Sequence, residues 1–223
     1  MKHIIVPVFN EPDPVEVINR FKGVLFVDDY SEILNRYIFL KNGISNIYKK
    51  GKGGALLTGI RHILPKAKDD DFIVFIDADG QISLDEIDTF ENIISLYNAD
   101  GVIGNKRHDF SLIHYNLQRS IVSKTFNFLV RKLFNFNYKD TQCGLKMFRV
   151  RALKSVSNNL SIPGYGFDVE LIVALREKGF KIVDAPIRVF RQKNKGSVSL
   201  ISIYKTFLEI LIIYKKYKKG LYL

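Results

Sequence analysis

Phe72-Ile73-Val74-Phe75-Ile76 is apolar at every position and runs directly into Asp77-Ala78-Asp79-Gly80-Gln81. A short, uninterrupted apolar run of this kind forms a strand, and its end thrusts two carboxylates and an amide out of a sheet. In extended backbone residues i and i+2 point to the same side, so Asp77 and Asp79 can share one ion, with Gln81 next in that row. Hard oxygen ligands suit Mg²⁺ or Mn²⁺, and such ions commonly serve a phosphate-bearing substrate. A plain Asp/Gly turn accounts for Asp79-Gly80 equally well without a metal.

The neighbouring segments alternate in period. Residues 4–8, 23–27, 45–48 and 101–104 read as further strands, and 14–21, 31–40, 51–64 and 84–97 as helices. Ser31 is placed to cap the second helix, and Ser83 with Glu86 three residues on has the capping-box pattern. Strands and helices in short alternation predict an α/β domain with a largely parallel sheet. Further on, 116–134, 152–156 and 169–178 read as helices, and 144–149 and 181–189 as strands. Residues 199–214 place Leu200, Tyr204, Phe207, Leu208, Leu211 and Tyr214 on one helical face, with Ser202, Lys205, Thr206, Glu209 and Lys216 opposite. The expectation is one domain over 1–199 and an amphipathic basic helix and tail over 200–223.

Charge points the same way. The chain of 223 residues carries +11, and from Arg188 onward nine basic residues face one acid, Glu209. Such a tail suits an anionic partner: a membrane surface, nucleic acid or a phosphate-rich ligand. No window approaches the roughly 20 apolar residues that span a bilayer. The single Cys143 excludes an internal disulfide, and the opening residues form a short strand, not a signal peptide, so a cytosolic protein is expected.

In open α/β sheets ligands bind beyond the carboxyl ends of the strands. Here those ends read Pro7-Val8-Phe9-Asn10-Glu11, Asp28-Asp29-Tyr30-Ser31 and Asp77-Ala78-Asp79. Each acidic loop alone is a solvated turn, but three on one rim repel unless a ligand or cation compensates. Gly51-Lys52-Gly53-Gly54 opens a helix and could cradle an anion. It has neither P-loop nor GxGxxG spacing, and a flexible turn explains it as well. Asp140-Thr141-Gln142-Cys143-Gly144-Leu145-Lys146 and the cluster over 164–170 are further polar loops, in which Cys143 reads as a buried small residue. His3, His62, His108 and His114 lie apart, without metal spacing.

Taken in order, these blocks resemble the family 2 glycosyltransferases, and within them the dolichyl- or polyprenyl-phosphate sugar synthases, most of all the dolichyl-phosphate glucosyltransferases, with the dolichyl-phosphate mannose synthases close by. The resemblance covers about residues 4–199. It implies an α/β, GT-A (Rossmann-like) single domain with a mostly parallel central sheet and a C-terminal amphipathic helix. Pro7, Phe9, Asn10 and Glu11 then fall in the nucleotide-binding loop, Asp29 where the base is read, and Lys52 and Gly53 in the glycine-rich turn. Asp77, Ala78, Asp79 and Gln81 match the metal and diphosphate motif, with Asp77, Asp79 and Gln81 as ligands of Mg²⁺ or Mn²⁺.

Gly104-Asn105-Lys106-Arg107 stands where the family shows Gly-Ser-Arg, so Lys106 or Arg107 takes the donor phosphate. Arg119 and Ser123 resemble the pair that holds an acceptor lipid phosphate. Arg191 falls in the basic loop that closes over the donor, where Ser197-Val198-Ser199 replaces the usual Ser-Lys. Asp168 occupies the place of the general base in relatives with hydroxyl acceptors.

The implied activity is inverting transfer of glucose or mannose from a UDP- or GDP-linked donor to a polyprenyl or dolichyl phosphate. It would take place at an anionic membrane surface, peripherally on the cytoplasmic face, with Asp79, Asp168 and Arg119 as the catalytic set. Transfer to a glycan hydroxyl with Asp168 as base is the nearest alternative. A non-enzymatic nucleic-acid module explains the charge but not the acidic strand ends, and no nucleic-acid partner is expected.

Overall fold

The computed structural model describes residues 1–113, 120–190 and 200–223; of 120–124 and 200 only the backbone is described. Chain order is β1 (Lys2–Val8), α1 (Pro14–Arg20), β2 (Leu25–Asp28), α2 (Ile33–Leu40), β3 (Gly43–Ser45), α3 (Lys52–Ile63), β4 (Phe72–Phe75), α4 (Glu86–Tyr97) and β5 (Gly101–Gly104). There follow β6 (Leu112–Ile113), α5 (Ser120–Phe134), β7 (Lys146–Arg149), α6 (Val150–Val156), α7 (Phe167–Glu177), β8 (Ile182–Ala185), β9 (Arg188–Val189) and α8 (Leu200–Lys218).

The seven-stranded sheet runs β3-β2-β1-β4-β7-β5-β8. Only β7 is antiparallel within it, to both β4 and β5. The unbroken apolar run of β4 has its cause here: every residue is buried, and alternate side chains feed opposite faces. Ile73 and Phe75 join a core with Leu56 and Ile60 of α3, Val130 of α5 and Leu171 of α7. Phe72, Val74 and Ile76 join a second with Val17 of α1, Phe39 of α2 and Phe90 of α4. Helices thus cover both faces of a mostly parallel sheet, the α/β architecture the alternation predicts.

The departures have local causes. Residues 181–189 form two strands because Pro186, which has no N–H to donate, separates β8, paired with β5, from β9, paired with β6. Strand three is Gly43–Ser45, earlier than expected, in register with Phe26–Asp28. The capping box does not form: α4 begins at Glu86, whose buried carboxylate takes Arg188 Nε at 2.6 Å. Ser31 caps nothing; its Oγ accepts from Asn10 N at 2.8 Å and ties the first two rim loops together. The start of the long helix expected over 116–134 lies outside the described residues.

α8 docks with the face the sequence reading set opposite its apolar one. Thr206, Ile210 and Ile213 are buried, and Ile210, Ile213 and Tyr222 belong to the α3–α7 core. Lys216 Nζ reaches the fully buried Glu170 carboxylate at 2.6 Å, where Tyr222 Oη also donates at 3.0 Å. Ser161 N and Ile162 N complete the shell of that carboxylate at 2.9 and 2.8 Å. With Ser161 Oγ at 3.3 Å the carboxylate has five donors and is well satisfied. Outward, Tyr204, Phe207, Leu208 and Leu211 stay exposed, at 62, 41, 40 and 38%. Tyr214 leaves that row and stands edge-on to Phe134.

Candidate functional site

Beyond the carboxyl end of β4, Asp77, Asp79, Gln81 and Lys106 line one open hollow with Ile82 and Gly144. Gly144 has to be glycine, because a Cβ there would lie 2.6 Å from Asp77 Oδ2. Asp79 stands exposed at the mouth, its two oxygens accepting from Gln81 N at 3.0 Å and Gln81 Nε2 at 2.9 Å. Gly80, at φ +68°, turns the chain there. Arg20 reaches over from α1, its Nη1 donating to Ala78 O at 3.3 Å and its guanidinium covering Gly80.

The hollow is electrostatically under-compensated on its carboxylate side. Partial desolvation first, then the Asp77 charge, push the Asp79 carboxyl above the usual carboxylate range. Glu11, at the end of the first rim loop, is pushed up in the same way, by desolvation and then by Asp79 and Asp77. Asp77 has its own cation: Lys52 Nζ sits 2.7 Å from Oδ1. Burial alone would push the Lys52 ammonium down, but Asp77 and Asp168 overturn this and hold it above the usual lysine range. Two hard carboxylates and an amide beside excess negative charge fit a divalent cation; Lys52 leaves Asp79 the less encumbered ligand. Among the described residues no cluster of three His, Cys, Asp or Glu side chains forms a metal cage, so any ion here must complete its shell from substrate and water.

The second rim loop is committed inside the protein. Asp29 is buried and accepts from Asn46 Nδ2 at 3.0 Å, Lys50 N at 2.8 Å and Gly51 N at 2.7 Å. That uses three of its roughly four acceptor positions. Asp28 is buried too and takes Ser45 Oγ at 2.7 Å and Ser31 N at 3.1 Å. Asn10 at φ 47° and Tyr30 at φ 66° hold left-handed backbone; for a residue as bulky as Tyr that is a genuine outlier, and such strain clusters at ligand sites. Asn10 Oδ1 accepts from Glu32 N, and Phe9 lies under Lys49 Nζ, 3.6 Å from its ring centre. Pro7 sits within β1, opposite Val27.

The Gly51–Gly54 turn is a seat, not a flexible loop. Gly53 is buried, and a Cβ on it would stand 2.4 Å from Phe167 Cβ and 2.6 Å from Ile162 O. Gly54 N donates to Pro163 O at 3.0 Å, so two of the turn's amides, Gly51 and Gly54, already have partners and the expected anion cradle is narrowed.

Asp168 is not open to solvent. It is buried and paired at 2.8 Å with the equally buried Lys146, which also donates to Cys143 O. The sequence reading placed Lys146 only at the end of a polar loop and missed it as the partner of Asp168; a lone lysine inside the apolar run Leu145–Phe148 was its signal. Cys143 is buried as expected, its thiol pushed up by burial to about 12, and is no nucleophile. Lys106 lines the hollow, with its amide on Asp140, whereas Arg107 is absent from the lining and its amide is held by Asn105 Oδ1. Arg119, Arg191 and His114 lie outside the described residues, as does the side chain of Ser123.

Residues 3–157 match the family model "Glycosyl transferase family 2". An uncharacterized protein of Methanocaldococcus jannaschii is 29% identical over 222 residues, covering 94% of this chain and 90% of that protein. The dolichyl-phosphate beta-glucosyltransferase of Saccharomyces cerevisiae is 27% identical over 78% of this chain, which spans only 54% of that enzyme's length. Among solved structures, glucosyl-3-phosphoglycerate synthase of Mycobacterium tuberculosis, in complex with Mn²⁺, UDP-glucose and phosphoglyceric acid, aligns with a TM-score of 0.68 at 14% identity. The alignment covers 96% of this chain and 79% of that one and shows a shared fold.

Proposed function

Because the chain belongs to glycosyl transferase family 2, we propose that it moves a hexose, glucose or mannose, from a UDP- or GDP-linked donor to a polyprenyl or dolichyl phosphate. The observation that carries this reading is the acidic hollow of Asp77, Asp79 and Gln81, rimmed by Lys52 and Lys106. Asp79, with Asp77 and Gln81, would hold Mg²⁺ or Mn²⁺. The bound ion supplies charge neutralisation for a departing nucleoside diphosphate. Lys52 pairs with Asp77 and orients it, and Lys106 brings a positive charge to the phosphate side. The loops bearing Pro7, Phe9, Asn10, Glu11 and Asp29 would frame the nucleoside, with Arg191 completing the donor contacts.

The acceptor follows from Asp168. A carboxylate buried against Lys146 is poorly placed to take a proton from a sugar hydroxyl, whereas a lipid phosphate arrives already ionised. Catalysis then reduces to positioning and electrostatics, with Arg119 and Ser123 as the proposed acceptor-phosphate pair. The yeast relative's name, a dolichyl-phosphate glucosyltransferase, supports the same acceptor class. Radiolabelled UDP-glucose and GDP-mannose, offered with polyprenyl phosphate and either cation, are expected to yield label that partitions into the organic phase and is lost with EDTA. Label found only in water-soluble glycan would overturn the lipid acceptor.

The membrane surface is assigned to the outward side of α8. No helix among the described residues is long and apolar enough to cross a membrane. Ile201, Tyr204, Leu208, Leu211 and Ile212 are exposed beside Lys205, Lys215, Lys218 and Lys219, a composition suited to peripheral binding on the anionic cytoplasmic face. Each lysine near such a surface contributes on the order of 1 kcal/mol. Truncating at 200 would strip Ile210, Ile213 and Tyr222 from the core, so point changes are the cleaner test. Leu208→Glu with Leu211→Glu is expected to abolish flotation with phosphatidylglycerol vesicles while the melting temperature holds. Wild-type protein that fails to float would remove the membrane from the proposal.

A further inference from the structure

Glu209 is the only acid from Arg188 to the end of the chain, and its carboxylate turns inward on the side of α8 that also buries Thr206, Ile210 and Ile213, while Leu208 and Ile212 face out. Oε1 accepts from Gly164 N at 3.0 Å and Oε2 from Gly166 N at 2.8 Å. Both glycines make room for it: a Cβ on Gly164 would lie 2.3 Å from Glu209 Oε1, and one on Gly166 2.8 Å from Glu209 Cβ. The loop so clamped is the one on which the Gly51–Gly54 turn rests. Pro163 O takes Gly54 N, and a Cβ on Gly51 would meet the same carbonyl at 2.6 Å. From that turn Lys52 reaches Asp77, and Gly51 N reaches Asp29.

We propose that Glu209 is a positioning residue: it fixes the 163–166 loop, hence the Gly51–Gly54 turn and Lys52, and so makes the donor site depend on how α8 is seated. The inference rests on the reading of that turn as part of the donor site. A purely local role is the competing account, since a carboxylate ahead of α7 also favours that helix's N-terminus. The two differ in reach: a local role stops at α7, whereas positioning extends to α3.

Glu209→Gln keeps the shape of the side chain but replaces one acceptor with a donor, so the paired N–H contacts cannot both survive. In the full chain, hydrogen exchange of amides 51–58 is expected to accelerate at least tenfold, since local opening sets exchange. Affinity for UDP or GDP with Mn²⁺ is expected to fall about tenfold. Glu209→Asp, which keeps both acceptors, should recover part of each effect, and Leu96→Ser, at an exposed position of α4, should show neither. Faster exchange confined to 164–168, with 51–58 unchanged, overturns the proposal. Failure of the wild-type protein to bind either nucleotide would sink the donor-site reading instead, and the exchange comparison would still decide the clamp.

Discussion

Asp79→Asn is expected to lower kcat/KM for transfer by roughly 10²–10³-fold, the range in which loss of one preorganised electrostatic contact to a leaving group falls. The loss should lie in kcat and in the response to Mn²⁺, because the change removes charge from the carboxylate at the mouth of the hollow, whereas Asp77 is held by Lys52 at 2.7 Å. Fold stability should move the other way. In the folded chain partial desolvation and Asp77 hold the Asp79 carboxyl above the usual range, so its ionised form is disfavoured relative to the unfolded chain. The cost is therefore present above the ordinary carboxylate pKa and disappears as pH falls below about 4. Because Asp79 is exposed, the effect is small. Without nucleotide or metal, the variant should melt at or slightly above the wild-type temperature at pH 7, and level with it at pH 4. A variant that is inactive and also several degrees less stable at pH 7 would mean Asp79 is a structural turn residue.

That opposition between stability and function explains why the hollow was legible in the sequence. Asp77, Asp79 and Gln81 follow a strand that is buried at every position, so alternation alone puts them on one rim. What could not be read is who compensates them, since Lys52 comes from α3 and Lys106 from beyond β5, both distant in sequence. The same limit governed the helix ends. Ser83 and Glu86 have capping chemistry, but Arg188, 102 residues away, offered Glu86 a stronger partner. Pro186 could have announced the break between β8 and β9, because a missing N–H is a local fact. In α8 periodicity separated two faces, but Tyr214 packs on the core side and Lys205 lies on the exposed one, and periodicity could not say which face docks. The face with fewer apolar residues does, because Glu170 buries a charge that Lys216 answers.

Asp168→Asn separates the two readings of the reaction. Lys146 and Asp168 are an ion pair with side chains only 2% and 4% exposed, and neutralising one partner strands the other. Breaking such a pair costs about 3–5 kcal/mol, and at about 2–4 °C per kcal/mol in a domain of this size the melting temperature should fall by roughly 10 °C. Lys146→Met should cost a similar amount. The double variant should recover a large part, because with both charges gone nothing buried is left unpaired, and a coupling of about 0.5–3 kcal/mol would measure the pair. Activity per folded molecule should fall less than tenfold in Asp168→Asn with a lipid phosphate acceptor, far less than in Asp79→Asn, since no proton has to be removed from an ionised phosphate. Near-equal losses in the two variants, with stability held, would place Asp168 at the reacting oxygen. The acceptor would then be a hydroxyl, and the pairing with Lys146 would be the means of holding Asp168 in place.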